Sequence, residues 1–339
     1  MKIDLRSDTV TKPTPEMLQR MLEAETGDDV FGEDPTVNEL QNCMAAYFGH
    51  EAGLFCPSGT MTNQIAINVH VRPGDEVICH SLSHIYNYEG GGIARNSGAS
   101  VRLIDGDNGR FTAKQAEMAI NPADSHYART SLVAVEDTCN KGGGCYYEFS
   151  ELQALSAFSK QHNLGFHLDG ARVFNALIEN GVDPKAYGML FDSVSVCLSK
   201  GLGAPGGSIL LGSKEFIAEA HRVRKAMGGG MRQIGILAAA GLHAMDHHIE
   251  RLKEDHANAK SLEALLQSRS WVEEVIPVHT NIVIFKLAGN LKAEDQCKKM
   301  AAHGIHALPF GPQKIRFVTH LDFNKKHLEK MKEIFAKHF

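Results

Sequence analysis

The chain has 339 residues, 43% of them hydrophobic and 22% charged, with a formal net charge of −5. These values fit a folded globular protein with room for one large and one small domain, and they exclude a disordered or collagen-like chain. A mildly acidic chain without basic blocks offers no footprint for nucleic acid or an anionic membrane surface, and no run of about 18 apolar residues could span a bilayer.

In chain order, the segment through Lys12 mixes charged, hydroxyl and apolar residues without helical period and reads as an extended arm. Thr14-Pro15-Glu16 reads as a helix start, with Met17, Leu18, Met21 and Leu22 on one face. Thr36 and Glu39 form a capping-box pattern ahead of Leu40, Met44 and Phe48. Ser58-Gly59-Thr60 opens onto Ile65, Ala66 and Val69 as a loop entering a helix. Apolar runs at 76–79, 101–104, 132–135, 164–168 and 194–198 are of the buried-strand type, and 208–211 is strand-like. Helical stretches lie between several of them, as at 150–162, where Leu152, Leu155 and Phe158 stand three apart. Past Arg251 the order changes to a long helix, an apolar run at 280–285, a helix near 291–303, a strand at 314–319 and a final helix. The pattern predicts an α/β large domain over 1–250, built on a mostly parallel sheet, and a smaller α+β domain over 251–339.

Asp169 and Lys200 each follow an apolar run and each precede a glycine, about one strand-helix-strand unit of ~30 residues apart. In a parallel sheet both then stand at the carboxyl ends of strands, where α/β proteins bind ligands. An amine and a carboxylate at one sheet edge are what pyridoxal 5′-phosphate needs: a lysine for a Schiff base and an acid beside the pyridine nitrogen. Taken singly, either residue reads as a solvated charge. The Gly59-Thr60 turn, with free N–H groups at a helix start, suits one phosphate monoester and lacks the ending of a nucleotide P-loop. Residues 201–206 spell G-x-G-x-x-G, but Pro205 and the strand-like run after it exclude a dinucleotide fingerprint, which requires a helix there.

Seven cysteines without a Cys-x-x-Cys pair predict neither a disulfide framework nor a zinc site. Met1 to Asp8 lack a signal peptide's apolar core, and a cytoplasmic protein is expected.

Several segments carry a family resemblance: Asp4 to Thr11, Gly27 to Pro35, Pro57 to Thr60, and His84 with Glu89-Gly90-Gly91. It continues through His126 to Thr130, His167 to Arg172, Leu198 to Leu202, Gly228 to Gln233, and Ile315 to His320. In these the chain resembles the low-specificity L-threonine aldolases, pyridoxal phosphate enzymes of the aspartate-aminotransferase-like fold. The resemblance implies cleavage of L-threonine, L-allo-threonine and related β-hydroxy-α-amino acids to glycine and an aldehyde. It assigns Lys200 to the Schiff base, Asp169 to the pyridine nitrogen and His84 to the face of the ring. Gly59 and Thr60 would hold the phosphate, with Arg232 reaching in from a neighbouring subunit of a homo-oligomeric dimer or tetramer. Ser7, Arg172, Arg316 and, more weakly, Lys225 would serve the substrate, Arg172 also lying beside the cofactor. His84 and His126 are the two candidates for the base at the β-hydroxyl, and a bound water is a third. A metal ion is neither implied nor excluded.

The chain departs from the family at Asp137 and Cys139, in a stretch that commonly reads Glu-Asn-Thr-His-Asn, at Lys141 to Tyr147, and at Gly206. The alternative is another pyridoxal reaction, β-elimination, racemisation or transamination, since the same ring and lysine serve all of them. A catalytically silent pyridoxal-binding protein is a remoter one.

Overall fold

The computed structural model describes residues 1–339. Its strands are β1 (Ile3–Asp4), β2 (Ala52–Cys56), β3 (Glu76–His80), β4 (Ser100–Ile104), β5 (Thr130–Glu136), β6 (Gly165–Gly170), β7 (Ser193–Cys197) and β8 (Ser208–Gly212). They continue with β9 (Val272–Val275), β10 (Ile282–Leu287), β11 (Ile305–His306), β12 (Leu308–Pro309) and β13 (Lys314–Val318). The apolar runs anticipated the strands from β3 to β8. They do so because strands covered on both faces read as largely apolar runs: β3, β7 and β8 are buried at all five of their positions, while the edge strand β4 is mostly exposed.

Seven strands form the main sheet in the order β2-β8-β7-β6-β5-β3-β4, parallel from β7 to β4, with β8 and β2 added antiparallel. Its core joins Val133, Val135, Phe166, Leu168, Val194 and Val196 to helices that include Pro35–Phe48 and Phe149–Gln161. A second sheet, β12-β13-β10-β9, is wholly antiparallel and carries its own apolar core with Trp271, Phe285, Phe317 and Phe335. The fold is therefore α/β on a mostly parallel main sheet, with an antiparallel C-terminal layer. No helix is long and apolar enough to cross a membrane.

Two local features, the cap of the second helix and the docking of the arm, differ from the sequence expectation. The second helix begins two residues earlier than the Thr36 cap implies: Asp34 is the cap, its Oδ1 accepting from Val37 N at 3.0 Å, and Pro35 takes the first position. A carboxylate next to a proline outcompetes the Thr36 hydroxyl, which donates instead to the Glu25 carbonyl. The arm does not hang free, because β1 pairs with β11 while Ile3 and Leu5 enter the C-terminal core. The glycine run at 142–144 lets a turn press on that layer. Gly144 has φ +75°, and a Cβ there would lie 2.5 Å from Thr280 Oγ1.

Candidate active site

Parallel strands end together, and here the register puts Glu136 beside Asp169 and Asp169 beside Ser195 at the carboxyl edge of β5, β6 and β7. Lys200 follows β7 by three residues, in a turn closed by Gly203 N donating to its carbonyl at 2.9 Å. The Thr11 hydroxyl donates to the same carbonyl at 3.1 Å, so the arm braces the lysine loop. The Lys200 charge reaches Cys197: burial raises that thiol, but the ammonium and the Ser199 hydroxyl outweigh it and the net direction is down.

Asp169 is 2% exposed, and its Oδ1 accepts from Ala171 N at 3.3 Å. Its Oδ2 is buried with no hydrogen-bond partner. A carboxylate oxygen left without a donor in the interior is costly unless a bound group supplies one. A protonated pyridine nitrogen is such a donor, so this oxygen fits pyridoxal phosphate. The phosphate end fits as well. Ser58 caps the helix Gly59–His70 through Met61 N, and the N–H groups of Gly59 and Thr60 have no carbonyl to reach within that helix. A Cβ at Gly59 would stand 3.5 Å from Ser208 Oγ and 3.9 Å from Cys197 Sγ, which places this turn at the same edge.

His84 opens a short turn after β3, its backbone N–H donating to Glu136 Oε2 at 2.8 Å. Its Nδ1 lies 3.0 Å from Glu89 Oε1. Burial disfavours a charged His84 ring, but the Glu89 hydrogen bond and the charges of Asp169, Glu89 and Glu136 win, raising its pKa. Glu136 is itself pushed up by burial and by Asp169. His84, Glu89 and Asp169 could group around a metal ion, but N–H donors from Asn63 and Gln64 occupy the Glu89 oxygens.

The two arginines that the family resemblance assigns to the substrate differ in their commitments. Arg172 spends Nε and Nη2 on the two oxygens of Asp8, at 2.7 Å each. Burial opposes an ionised Asp8, yet the Arg172 charge and hydrogen bonds override it and hold the carboxyl far below its ordinary range. Ser7 stands beside this pair, its hydroxyl 3.3 Å from Asp8 Oδ1. Arg316 is 9% exposed and has no carboxylate partner: Nη1 donates to Asn140 Oδ1 at 2.7 Å, Nη2 to the Arg6 carbonyl at 3.2 Å, and Nε to nothing. Burial and the neighbouring Arg172 bring its pKa down to about 10. A buried guanidinium without an anion is a receptor for one.

Other expected residues lie apart from this cluster. His126 precedes β5, at the amino edge of the sheet, with its side chain 85% exposed and its Nδ1 on Asp124. A seven-residue strand spans ~20 Å, so within one chain His126 and His84 do not flank a common hydroxyl. Arg232 pairs with Asp28 at 2.8 Å and stacks near the exposed Phe31. Lys225 is exposed in the last turn of the helix Lys214–Ala226. Among the family departures, Cys139 and Cys145 are buried free thiols facing each other across a bridge.

Asp137 is buried, with Oδ2 accepting from the Tyr187 hydroxyl and Oδ1 unpartnered. Burial outweighs its hydrogen bonds from Tyr187 and Tyr147 and pushes it up to about 7. An acid whose folded pKa exceeds its unfolded value, ~3.9, binds more protons folded than unfolded, so stability falls as pH rises between the two and is level above. Asp137→Asn keeps the shape and removes the charge. Thermal melts of the two proteins should coincide near about pH 4, and at about pH 8 the variant should melt several degrees higher. Coincident melts at both values would show that no such penalty exists.

Glu89, Glu136 and Asn140 are functional neighbours that the sequence did not single out. Glu136 and Asn140 lie in the same Glu-x-x-x-Asn stretch as Asp137 and Cys139, and this position after a strand was the available signal. The motif that contains Glu89 gives it no role, because its partners Asn63 and Gln64 come from the helix Gly59–His70.

Residues 4–290 match the family model described as beta-eliminating lyase. The chain is 41% identical over 328 residues to the low specificity L-threonine aldolase of Escherichia coli (strain K12), covering 96% of each chain. It is 40% identical over 344 residues to a probable low-specificity L-threonine aldolase 2 of Arabidopsis thaliana, covering 99% of this chain and 97% of that one. Its fold matches a solved threonine aldolase of Leishmania major with TM-score 0.86 and 21% identity, over 99% of both chains. By sequence and by fold, the chain belongs to the low-specificity L-threonine aldolase family.

Proposed function

We infer that the protein is a pyridoxal 5′-phosphate-dependent aldehyde-lyase that cleaves L-threonine to glycine and acetaldehyde. The observation that carries this is the partnerless buried oxygen of Asp169 at one sheet edge with Lys200 and the anion-free Arg316. When bound, the cofactor supplies a cationic ring that spreads the electron pair left on Cα as the Cα–Cβ bond breaks.

The protein's own groups do the rest. Lys200 supplies the amine that anchors the cofactor, Asp169 keeps its ring nitrogen protonated, and the Gly59-Thr60 turn receives its phosphate. Arg316, steadied by Asn140, grips the substrate carboxylate. A fixed carboxylate limits rotation about Cα, and that choice of bond separates cleavage from racemisation or transamination. Arg172 is largely spent on Asp8, so we assign it to shaping this corner and give Arg316 the larger share of the grip. His84 takes the β-hydroxyl proton, and the acids around it make its ring a better base.

We further read the enzyme as a cytoplasmic homo-oligomer, acting on allo-threonine and related β-hydroxy-α-amino acids as well. The all-free cysteines support the compartment. The exposure of Arg232 beside an exposed Phe31, and of His126, supports a site completed by a second copy. Subunits carrying Lys200→Ala and Arg232→Ala, each inactive alone, should recover part of the activity when mixed and reassembled. Mixtures as inactive as their parents would show that the site is not shared.

The activity itself is tested by incubating the holoprotein with L-threonine and coupling acetaldehyde to alcohol dehydrogenase. Glycine and acetaldehyde in equal amounts are expected. 2-Oxobutyrate instead would establish β-elimination, the reaction after which the matched family model is named.

A further inference from the structure

His84 is tied to the interior by a continuous line of hydrogen bonds. The Glu89 side chain is 0% exposed and meets His84 Nδ1 at 3.0 Å. The same carboxylate receives Asn63 Nδ2 at 2.9 Å and Gln64 Nε2 at 2.5 Å. On the far side of Asn63, its Oδ1 lies 3.1 Å from His167 Nε2. His167 Nδ1 lies 2.8 Å from Ser193 Oγ, which lies 2.8 Å from His70 Nε2.

Counting protons leaves this line one arrangement. A carboxylate has none to give, so Asn63 turns its NH₂ to Glu89 and its carbonyl to His167. Burial, and then His70, push His167 down to about 3, so it is neutral with one N–H, which must sit on Nε2 facing that carbonyl. Its bare Nδ1 then accepts from Ser193, and Ser193 accepts from His70 Nε2. Every donor points toward Glu89, and the same count places a proton on Nδ1 of His84. The other groups facing the His84 ring are Glu136 from the end of β5, Asp169 from the end of β6 and the Tyr88 ring at 5.6 Å. Only Glu89 hydrogen-bonds the ring.

We propose that Glu89 is a positioning residue: it holds His84 protonated on Nδ1, so that Nε2 is the atom that takes the β-hydroxyl proton, and the line Asn63–His167–Ser193–His70 keeps Glu89 in that role. The hydrogen bond at one ring nitrogen decides which chemistry the other performs. In the step, the substrate O–H breaks as Nε2–H forms, the oxygen's electron pair becomes the carbonyl of the aldehyde, and the Cα–Cβ pair passes to Cα. Cα then takes up a proton to become glycine, and His84 returns its extra proton to solvent. This rests on the aldolase reading above.

Two measurements test it. Neutron diffraction from deuterium-exchanged crystals of the holoprotein should show deuterium on His84 Nδ1 and on His167 Nε2. Deuterium on His84 Nε2 with Nδ1 bare would overturn the assignment, and this map needs no variant to fold. Glu89→Gln removes the charge that favours a protonated His84, so the acid limb of the kcat profile should move down by about one pH unit or more. With it, kcat should fall roughly tenfold or more, with KM for threonine little changed. Glu89→Asp, restoring the charge, should bring the limb part of the way back. A cleaving Glu89→Gln enzyme with the wild-type profile overturns the proposal while leaving the aldolase reading intact. A wild-type protein that does not cleave threonine ends that reading and, with it, the role given to His84 Nε2.

Discussion

Lys200→Ala is expected to lower kcat for threonine cleavage by about a thousandfold or more, because no other group at the edge can replace its amine. Thr11 and Gly203 bond the carbonyl of residue 200 and not its side chain, so the turn should survive the substitution. The variant should therefore melt close to the wild type and still take up cofactor through the helix start at Gly59 and the Asp169 carboxylate, now without a covalent anchor. An added primary amine such as methylamine should restore part of the rate if the loss is chemical and not structural. Wild-type turnover in the variant would remove Lys200 from the mechanism.

The second large effect concerns Arg316 and separates binding from stability. Truncating one member of a buried, hydrogen-bonded charge pair costs about 2–5 kcal/mol of recognition. At about 1.4 kcal/mol for each factor of ten, Arg316→Leu should lose roughly 30-fold or more in kcat/KM for threonine. The apoprotein tells the opposite story. Arg316 is a buried cation without a carboxylate, next to a second guanidinium at Arg172 that helps bring its pKa down. Exchanging it for an apolar side chain should leave the apo melting temperature unchanged or raise it, since desolvating such a charge is unfavourable. Arg172→Leu should behave differently, because it strands the fully buried Asp8. That carboxyl is held below its unfolded pKa, so it contributes stability above that value, and the contribution is lost only in strong acid as pH falls through the folded pKa. Arg172→Leu should accordingly destabilise the protein at neutral pH. Equal losses of stability in the two arginine variants would contradict the division of labour described here.

Much of this site is legible in the chain because parallel sheets convert order along the sequence into position in space. An apolar run followed by Asp169, and another followed by Lys200, place both residues at one edge before any contact is known. The same rule places His126 elsewhere, since it comes ahead of the run at 132–135, although the motif around it resembles the family's. What the sequence cannot display is pairing across elements. Arg172 and Arg316 look equivalent until Asp8, from the arm, is seen to take the fork of one and leave the other free. Glu89 gains its role from Asn63 and Gln64 on the helix after β2, and β2 itself, with alanine and glycine at its start, gives too weak an apolar signal to be anticipated. Asp34 displaced Thr36 as a cap through a local competition between two plausible oxygens.

The proposed chemistry depends on the amine of one lysine. Reducing the holoprotein with borohydride, digesting it and locating the pyridoxyl mass by spectrometry reads that amine directly. The predicted result is the label on the peptide containing Lys200, with loss of the visible absorbance. A label on Lys225 or any other lysine, or a protein that takes up no pyridoxal phosphate, would contradict it.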